Sequence, residues 1–323
     1  MVPSMGEIPV GRRRDCSLSA MKTSSRKVAA PKKKKPRGKG YPKAVRKKLV
    51  EAPWSVTNAV VGAHLEYWGL HSRPFENVPN PKDFVLFKSH KVALDLLAYT
   101  VRERKVAALL TGEYGTGKTT AIRVLLSELP LDDIRVAVLD HPILEERTPF
   151  ASIYEQIGDG AVAWPENRLY ELLGVRFLQL AREGKHSLVI VDEAQLLPLE
   201  LLEKLRLLLN FQLNDRNLVT LILVGSDELW ETLSRLPQLV QRLAVKCRLE
   251  HFQEAETCTY VARRLEKSGG QLKIFSKAAL QLIHERSKGI ARNINNICDL
   301  ALVMAFHQET DTIEVDTIKT QWV

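Results

Sequence analysis

The sequence predicts an α/β fold in which a parallel sheet is covered by helices, followed by a small all-helical domain. Three observations predict it. Five short aliphatic-rich runs alternate with stretches of helical periodicity, the pattern of strands buried on both faces between amphipathic helices. A glycine-rich stretch, GEYGTGKTT at 112–120, separates the first run from a helix. From about Glu254 the apolar spacing is helical throughout.

The chain begins basic. Residues 1–50 hold 16 Lys and Arg against Glu7 and Asp15, a net of +14, while the remaining residues carry 31 basic and 36 acidic, a net of −5. The overall +9 therefore resides in the first segment. Its stretch SSRKVAAPKKKKPRGKGYPKAVRKK is rich in Lys, Pro and Gly and nearly free of large aliphatics. Such a composition cannot bury enough apolar surface to offset ordering entropy, so residues 1–52 read as a disordered tail. Residues 22–48 suit nucleic-acid phosphates, gaining affinity by counterion release without reading bases. A merely solvated tail and an acidic protein partner are the competing readings.

A connector with Pro53 and Trp54 leads to EYWGLHSRPFENVPNPKDF, which Pro74, Pro79 and Pro81 make irregular. From about Ser89, Val92, Leu94, Leu96, Leu97 and Val101 suit a helix. The strands are expected at 105–111, 134–140, 187–193, 218–225 and 245–250. Beyond them CTYVARRLEKSG, SKAALQLIHERSKG and ARNINNICDLALVMAFHQ read as three helices, two closed by glycine. The expected domains are thus 53–252, a nucleotide-binding α/β domain, and 253–323, a helical one. ELLEKLRLLLNFQ repeats leucine at helical spacing, as core or interface. Trp164, Trp230 and Trp322 are expected to pack; Phe84 and Phe87 fit either a core or a cover for a purine base.

No apolar run approaches 18 residues, so no membrane span is expected. The N-terminus lacks the apolar centre of a secretory signal. Cys16, Cys247, Cys258 and Cys298 have no metal or CxxC spacing, and the histidines form no cluster. Reduced cysteines, no structural metal and a cytoplasmic location are the expectation.

The chemistry lies in two motifs. Gly112, Gly117, Lys118 and Thr119 complete G-x-x-x-x-G-K-[ST], a P-loop whose backbone N–H groups surround phosphate oxygens at a helix N-terminus. Lys118 is expected on the β- and γ-phosphates of ATP and the Thr119 hydroxyl on Mg²⁺. The intervening Glu113, Tyr114, Gly115 and Thr116, with Thr120 after them, complete the nucleotide-binding stretch. LVIVDEAQ follows, with Asp192 74 positions after Lys118. Its acidic pair emerges at the carboxyl end of a strand, where open α/β sheets bind ligands. Asp192 is expected to hold Mg²⁺ through water, and Glu193 to orient or deprotonate the attacking water. That pair points to hydrolysis.

From about Glu66 onward, roughly 250 residues resemble AAA+ ATPases of the family typified by general secretion pathway protein A. The ATPases of transposable elements and Mu-like phages share that module. YWGLHSRPFENVPNPKDF is similar to the family's lead-in, TGEYGTGKTT to its phosphate loop with Glu113, and LVIVDEAQLL to its acidic strand. LPQLVQRLAVKCRL resembles its arginine box, with Arg242 at the key position and Arg235 as a competitor. FQEAETCTYVARRLEKSGG resembles the opening of its lid, and SKGIARNINNICDLAL its lid motif, with Arg292 at the arginine. Ala291 replaces the usual proline, and Ser226 occupies the sensor position within VGSDEL.

The resemblance implies a P-loop NTPase of AAA+ type that assembles into a ring or filament, with ATP at subunit boundaries. Arg242 would reach a neighbour's ATP, and Arg292 would sense nucleotide in its own subunit. Two kinds of work fit. In one, the protein assembles on double-stranded DNA and regulates a transposase. In the other, it serves secretion or complex assembly; such proteins are expected to carry a membrane span and a peptidoglycan-binding region after the module. The sequence ends at Val323, just past its lid, and the expectation leans to the first. A small-molecule kinase is disfavoured, since nothing marks an acceptor site.

Overall fold

The sheet has five parallel strands in the order β2-β3-β4-β1-β5. They are β1 (Ala107–Gly112), β2 (Ile134–Leu139), β3 (His186–Val191), β4 (Val219–Gly225) and β5 (Leu243–Leu249). The computed structural model describes residues 58–140, 148–158, 160 and 164–320. The basic tail, Cys16, Trp54 and Trp322 lie outside the described residues.

Position in the sheet explains strand composition. β1, β3 and β4 are buried at every residue, whereas the outer strands β2 and β5 mix buried positions with half-buried and exposed ones. A central strand is covered on both faces and reads as a continuous aliphatic run; an edge strand keeps one side wet. One face carries α2 (Lys88–Arg102) and α3 (Lys118–Glu128). Against the other pack α4 (Pro149–Ile157), α5 (Glu166–Arg182), α6 (Leu199–Leu208), α7 (Glu228–Ser234) and α8 (Pro237–Val240). The leucine repeat of α6 is core: Leu202, Leu205 and Leu208 are fully buried.

The helical region comprises α9 (Glu254–Lys267), α10 (Lys277–Ser287), α11 (Ala291–His307) and α12 (Val315–Lys319). A capping box at Gln253 and Glu256 opens α9, and the Ser276 hydroxyl caps α10, each satisfying otherwise orphan N–H donors. The lead-in shares the core of these helices. Leu70, Phe75 and Val85 pack with Phe252, Tyr260 and Ile294. The helix before them, α1 (Asn58–Trp68), is fastened by Trp68 Nε1 to the Leu302 carbonyl at 3.0 Å and by Tyr67 Oη to the Thr310 carbonyl at 2.9 Å.

Several expectations give way to tertiary context. Trp164 and Trp230 do not pack inside: they are 54% and 43% exposed, and Trp230 lies under the Lys246 ammonium at 4.9 Å. Val92 and Leu96 belong to α2 as expected but face solvent, because its buried stripe runs through His90, Ala93, Leu94, Leu97 and Val101. No helix among the described residues is long and apolar enough to cross a membrane.

Candidate nucleotide site

Because all strands are parallel, their carboxyl ends meet on one edge of the sheet. From β1 the chain turns through 112–117 into α3, whose N-cap is Gly117 at φ 99°. That left-handed conformation favours glycine and lets the backbone curl without steric cost. Gly115, at φ 85°, meets a second demand. A Cβ there would lie 2.8 Å from Arg292 Cβ, because the N-terminus of α11 rests on the loop and the Arg292 N–H donates to the Gly115 carbonyl at 3.2 Å.

Lys118 is buried at the first turn of α3. Its ammonium donates to the carbonyls of Gly112 at 2.8 Å and Glu113 at 3.2 Å, and lies 5.5 Å from the Tyr114 ring centroid. Burial lowers its pKa; the nearby Glu193 and Asp192 carboxylates oppose that shift, while Arg292 adds to it. The Thr119 hydroxyl donates to Asp192 Oδ2 at 2.7 Å, and Asp192 Oδ1 accepts the Glu193 N–H at 2.9 Å. The acidic pair thus sits across from the phosphate loop, as its place at the end of β3 dictates. Glu193 has a left-handed backbone, φ 51°.

A cleft runs from this point between the lead-in and the helical region. Glu76, Val78, Phe84, Phe252, Tyr260 and Asn295 contribute to its walls, with Tyr114 through Thr120, Glu193 and Arg292. Phe84 lines it and packs on His90 at 5.3 Å, whereas Phe87 stacks on Phe252 at 4.7 Å and joins the helical core. His90 is buried, its Nε2–H donating to the Thr116 carbonyl at 3.3 Å; burial lowers its pKa. Glu113 pairs with His251 at 2.8 Å.

Two expected site residues stand apart from the cleft. Ser226, at the end of β4, directs its hydroxyl to Glu228 Oε2 at 3.3 Å. Arg242 precedes β5 at the end opposite the phosphate loop, and its guanidinium donates to Asn210 Oδ1 at 2.9 Å. At about 3.3 Å per residue, seven-residue β5 keeps it roughly 20 Å from its own loop. Arg235, at the end of α7, is exposed.

The structure adds residues that sequence reasoning missed. Gln195 donates to Glu193 Oε2 at 2.6 Å. Arg264, almost wholly buried, holds the lead-in by donating to the Pro74 and Glu76 carbonyls and to Tyr260 Oη. Tyr260 Oη donates to Asn295 Oδ1 at 3.0 Å, and Asn295 Nδ2 to Asn77 Oδ1 at 3.0 Å. Buried polar groups need such partners, but their identity follows from tertiary packing. All of them lie inside stretches that resemble the family's, but nothing in those stretches marked them as site residues.

Together the parallel sheet, the phosphate loop and the facing acidic pair define a P-loop nucleotide site. Residues 101–233 match the family described as AAA domain. Over 249 residues the chain is 37% identical to General secretion pathway protein A of Aeromonas hydrophila, which covers 75% of this chain and 45% of that protein. The chain thus spans less than half the length of this relative. The fold is shared with Drosophila ORC bound to DNA, at TM-score 0.60 and 18% identity over 84% of this chain and 67% of that one. It is also shared with the Aeropyrum pernix ORC1 protein in complex with DNA, at TM-score 0.56 and 18% identity over 74% and 65%.

Proposed function

We propose that this AAA+ protein hydrolyses ATP as an assembly of copies on duplex DNA and regulates a DNA-processing partner such as a transposase. The observation that carries the catalytic part is the juxtaposition of Lys118, the Thr119–Asp192 hydrogen bond and Glu193 at one end of the sheet. The hard oxygens of Thr119 and Asp192 fit Mg²⁺; the bound ion would neutralise charge on the ATP phosphates.

In this reading the loop N–H groups and the N-terminus of α3 hold the phosphates, and Lys118 exchanges its carbonyl partners for phosphate oxygens. Glu193 orients the attacking water and takes its proton as the water oxygen bonds to the γ-phosphorus and the bond to ADP breaks. Arg292 lies beside Lys118 at the lid and reports nucleotide in its own subunit. Arg242, distant from its own loop, serves the neighbour's ATP, where a guanidinium stabilises charge developing on the γ-phosphoryl oxygens. Ser226, at the sensor position that the resemblance implies, would turn its hydroxyl from Glu228 to a water or phosphate oxygen.

The DNA part rests on the +14 of residues 1–50 and on a fold found in DNA-bound ORC proteins. A second reading, ATP-driven secretion or complex assembly, is favoured by the 37% identity to General secretion pathway protein A. Duplex-DNA binding by the full chain, at several salt concentrations and with or without ATP, separates them. A companion variant replaces Lys32, Lys33, Lys34 and Lys35 by Gln. The DNA reading predicts ATP-dependent binding that survives in the variant with a shallower salt slope. No binding by either form supports the second reading.

A further inference from the structure

Gln195 lies in the single turn Ala194–Leu196, two residues past Glu193, and its amide is bonded at both ends. Oε1 accepts the Ser226 N–H at 3.0 Å; Nε2 donates to Glu193 Oε2 at 2.6 Å and to Tyr114 Oη at 3.0 Å. These partners fix the orientation of the amide. Turned over, it would set an oxygen against a carboxylate and an NH₂ against an N–H. Room for it comes from Gly225, where a Cβ would lie 2.5 Å from Gln195 Oε1. One side chain therefore joins the acidic strand, the end of β4 and the phosphate loop.

The geometry points to Gln195 as a positioning residue for ATP hydrolysis: its amide holds Glu193 Oε2 and aims the other carboxylate oxygen at the attacking water. The Tyr114 contact makes that aim depend on the conformation of the phosphate loop, since the same tyrosine ring lies beside the Lys118 ammonium. The backbone N–H of Glu193 is already committed to Asp192 Oδ1. The side chain of Glu193 would otherwise rotate freely about its own torsions, and a misplacement of about 1 Å can cost on the order of 100-fold in rate. The inference rests on Glu193 as the base.

The test uses the full chain and two variants, Gln195→Ala and Gln195→Glu, with steady-state ATPase kinetics, ATP affinity and thermal unfolding. Gln195→Glu is nearly isosteric and keeps an oxygen for the Ser226 N–H; as a carboxylate it cannot donate to Glu193, so turnover is read at alkaline pH, where the two carboxyl groups no longer share a proton. Both variants are expected to lower kcat by roughly 10- to 100-fold, with KM and ATP affinity within about twofold of the parent. In a Glu193→Gln background, Gln195→Ala is expected to add no further loss, because it acts through that carboxylate. A Gln195→Glu kcat within about threefold of the parent overturns the proposal. So does a full additional loss from Gln195→Ala in the Glu193→Gln background. If Gln195→Ala fails to fold, the isosteric variant decides. Parent-like turnover by Glu193→Gln alone would instead remove the base reading beneath it.

Discussion

Gly115 separates two costs that a phosphate-loop glycine can carry, and its replacement by alanine gives each a size. At φ 85° an L-residue is strained by about 1–2 kcal/mol. The new methyl would also lie 2.8 Å from Arg292 Cβ and 3.0 Å from Ile290 Cγ2. Neither is the free end of a flexible chain, so the N-terminus of α11 must withdraw. Withdrawal breaks the Arg292 N–H bond to the Gly115 carbonyl, worth about 0.5–1.5 kcal/mol. The total is about 1.5–3.5 kcal/mol, and the clash is relieved only when the N-terminus of α11 leaves the loop. ATP binding must then restore the contact against it; the backbone strain is the same with the contact made or broken, so affinity falls by the lost hydrogen bond, roughly 2- to 12-fold. Gly117→Ala is the control. It shares the strained backbone, φ 99°, but no atom lies within 4 Å of its Cβ. Its strain persists with the lid open or closed, so it lowers Tm more than it weakens ATP. Titration of both variants with a fluorescent ATP analogue checks this. Equal affinities for Gly115→Ala and Gly117→Ala would refute the lid contact as the cause.

Two further predictions concern parts distant from the loop. His186 is buried with its pKa lowered to about 4 by burial, reinforced by Arg104, so the folded protein holds it neutral while the unfolded chain protonates it near 6.5. Its contribution is intact above pH 6.5 and lost as pH falls toward 4, about 2 kcal/mol by pH 5; denaturant unfolding at pH 7.5 and 5 should show a smaller loss in His186→Gln than in the parent, and an equal loss would refute it. Arg242→Ala should bind ATP normally and lose only assembly-dependent hydrolysis, by on the order of 10³-fold or more; the same phenotype in Arg235→Ala, with Arg242→Ala normal, would move the role to Arg235.

What the sequence disclosed was local. The phosphate loop and acidic pair were legible because their spacing is covalent: Gly117 must precede a helix, and Asp192 must end a strand. Central strands were legible as unbroken aliphatic runs. The exposure of Trp164 and Trp230 was not, since a tryptophan in a helical pattern looks the same whether or not a neighbour covers it. The packing of Leu70, Phe75 and Val85 among helices that begin at Glu254 was likewise hidden. Gln195 was visible in DEAQ, but its role depends on Tyr114 and Ser226, which only the folded sheet brings to it.

The most direct test of the proposed ATPase site is Glu193→Gln in the full chain, with ATP binding and turnover measured on the same preparation. The amide keeps the shape of the side chain and removes the base. ATP should bind as in the parent while hydrolysis falls by about 10²- to 10⁴-fold, the usual contribution of a positioned base. Turnover equal to the parent's would contradict the account, because the acidic strand facing the phosphate loop would then have no part in activating water.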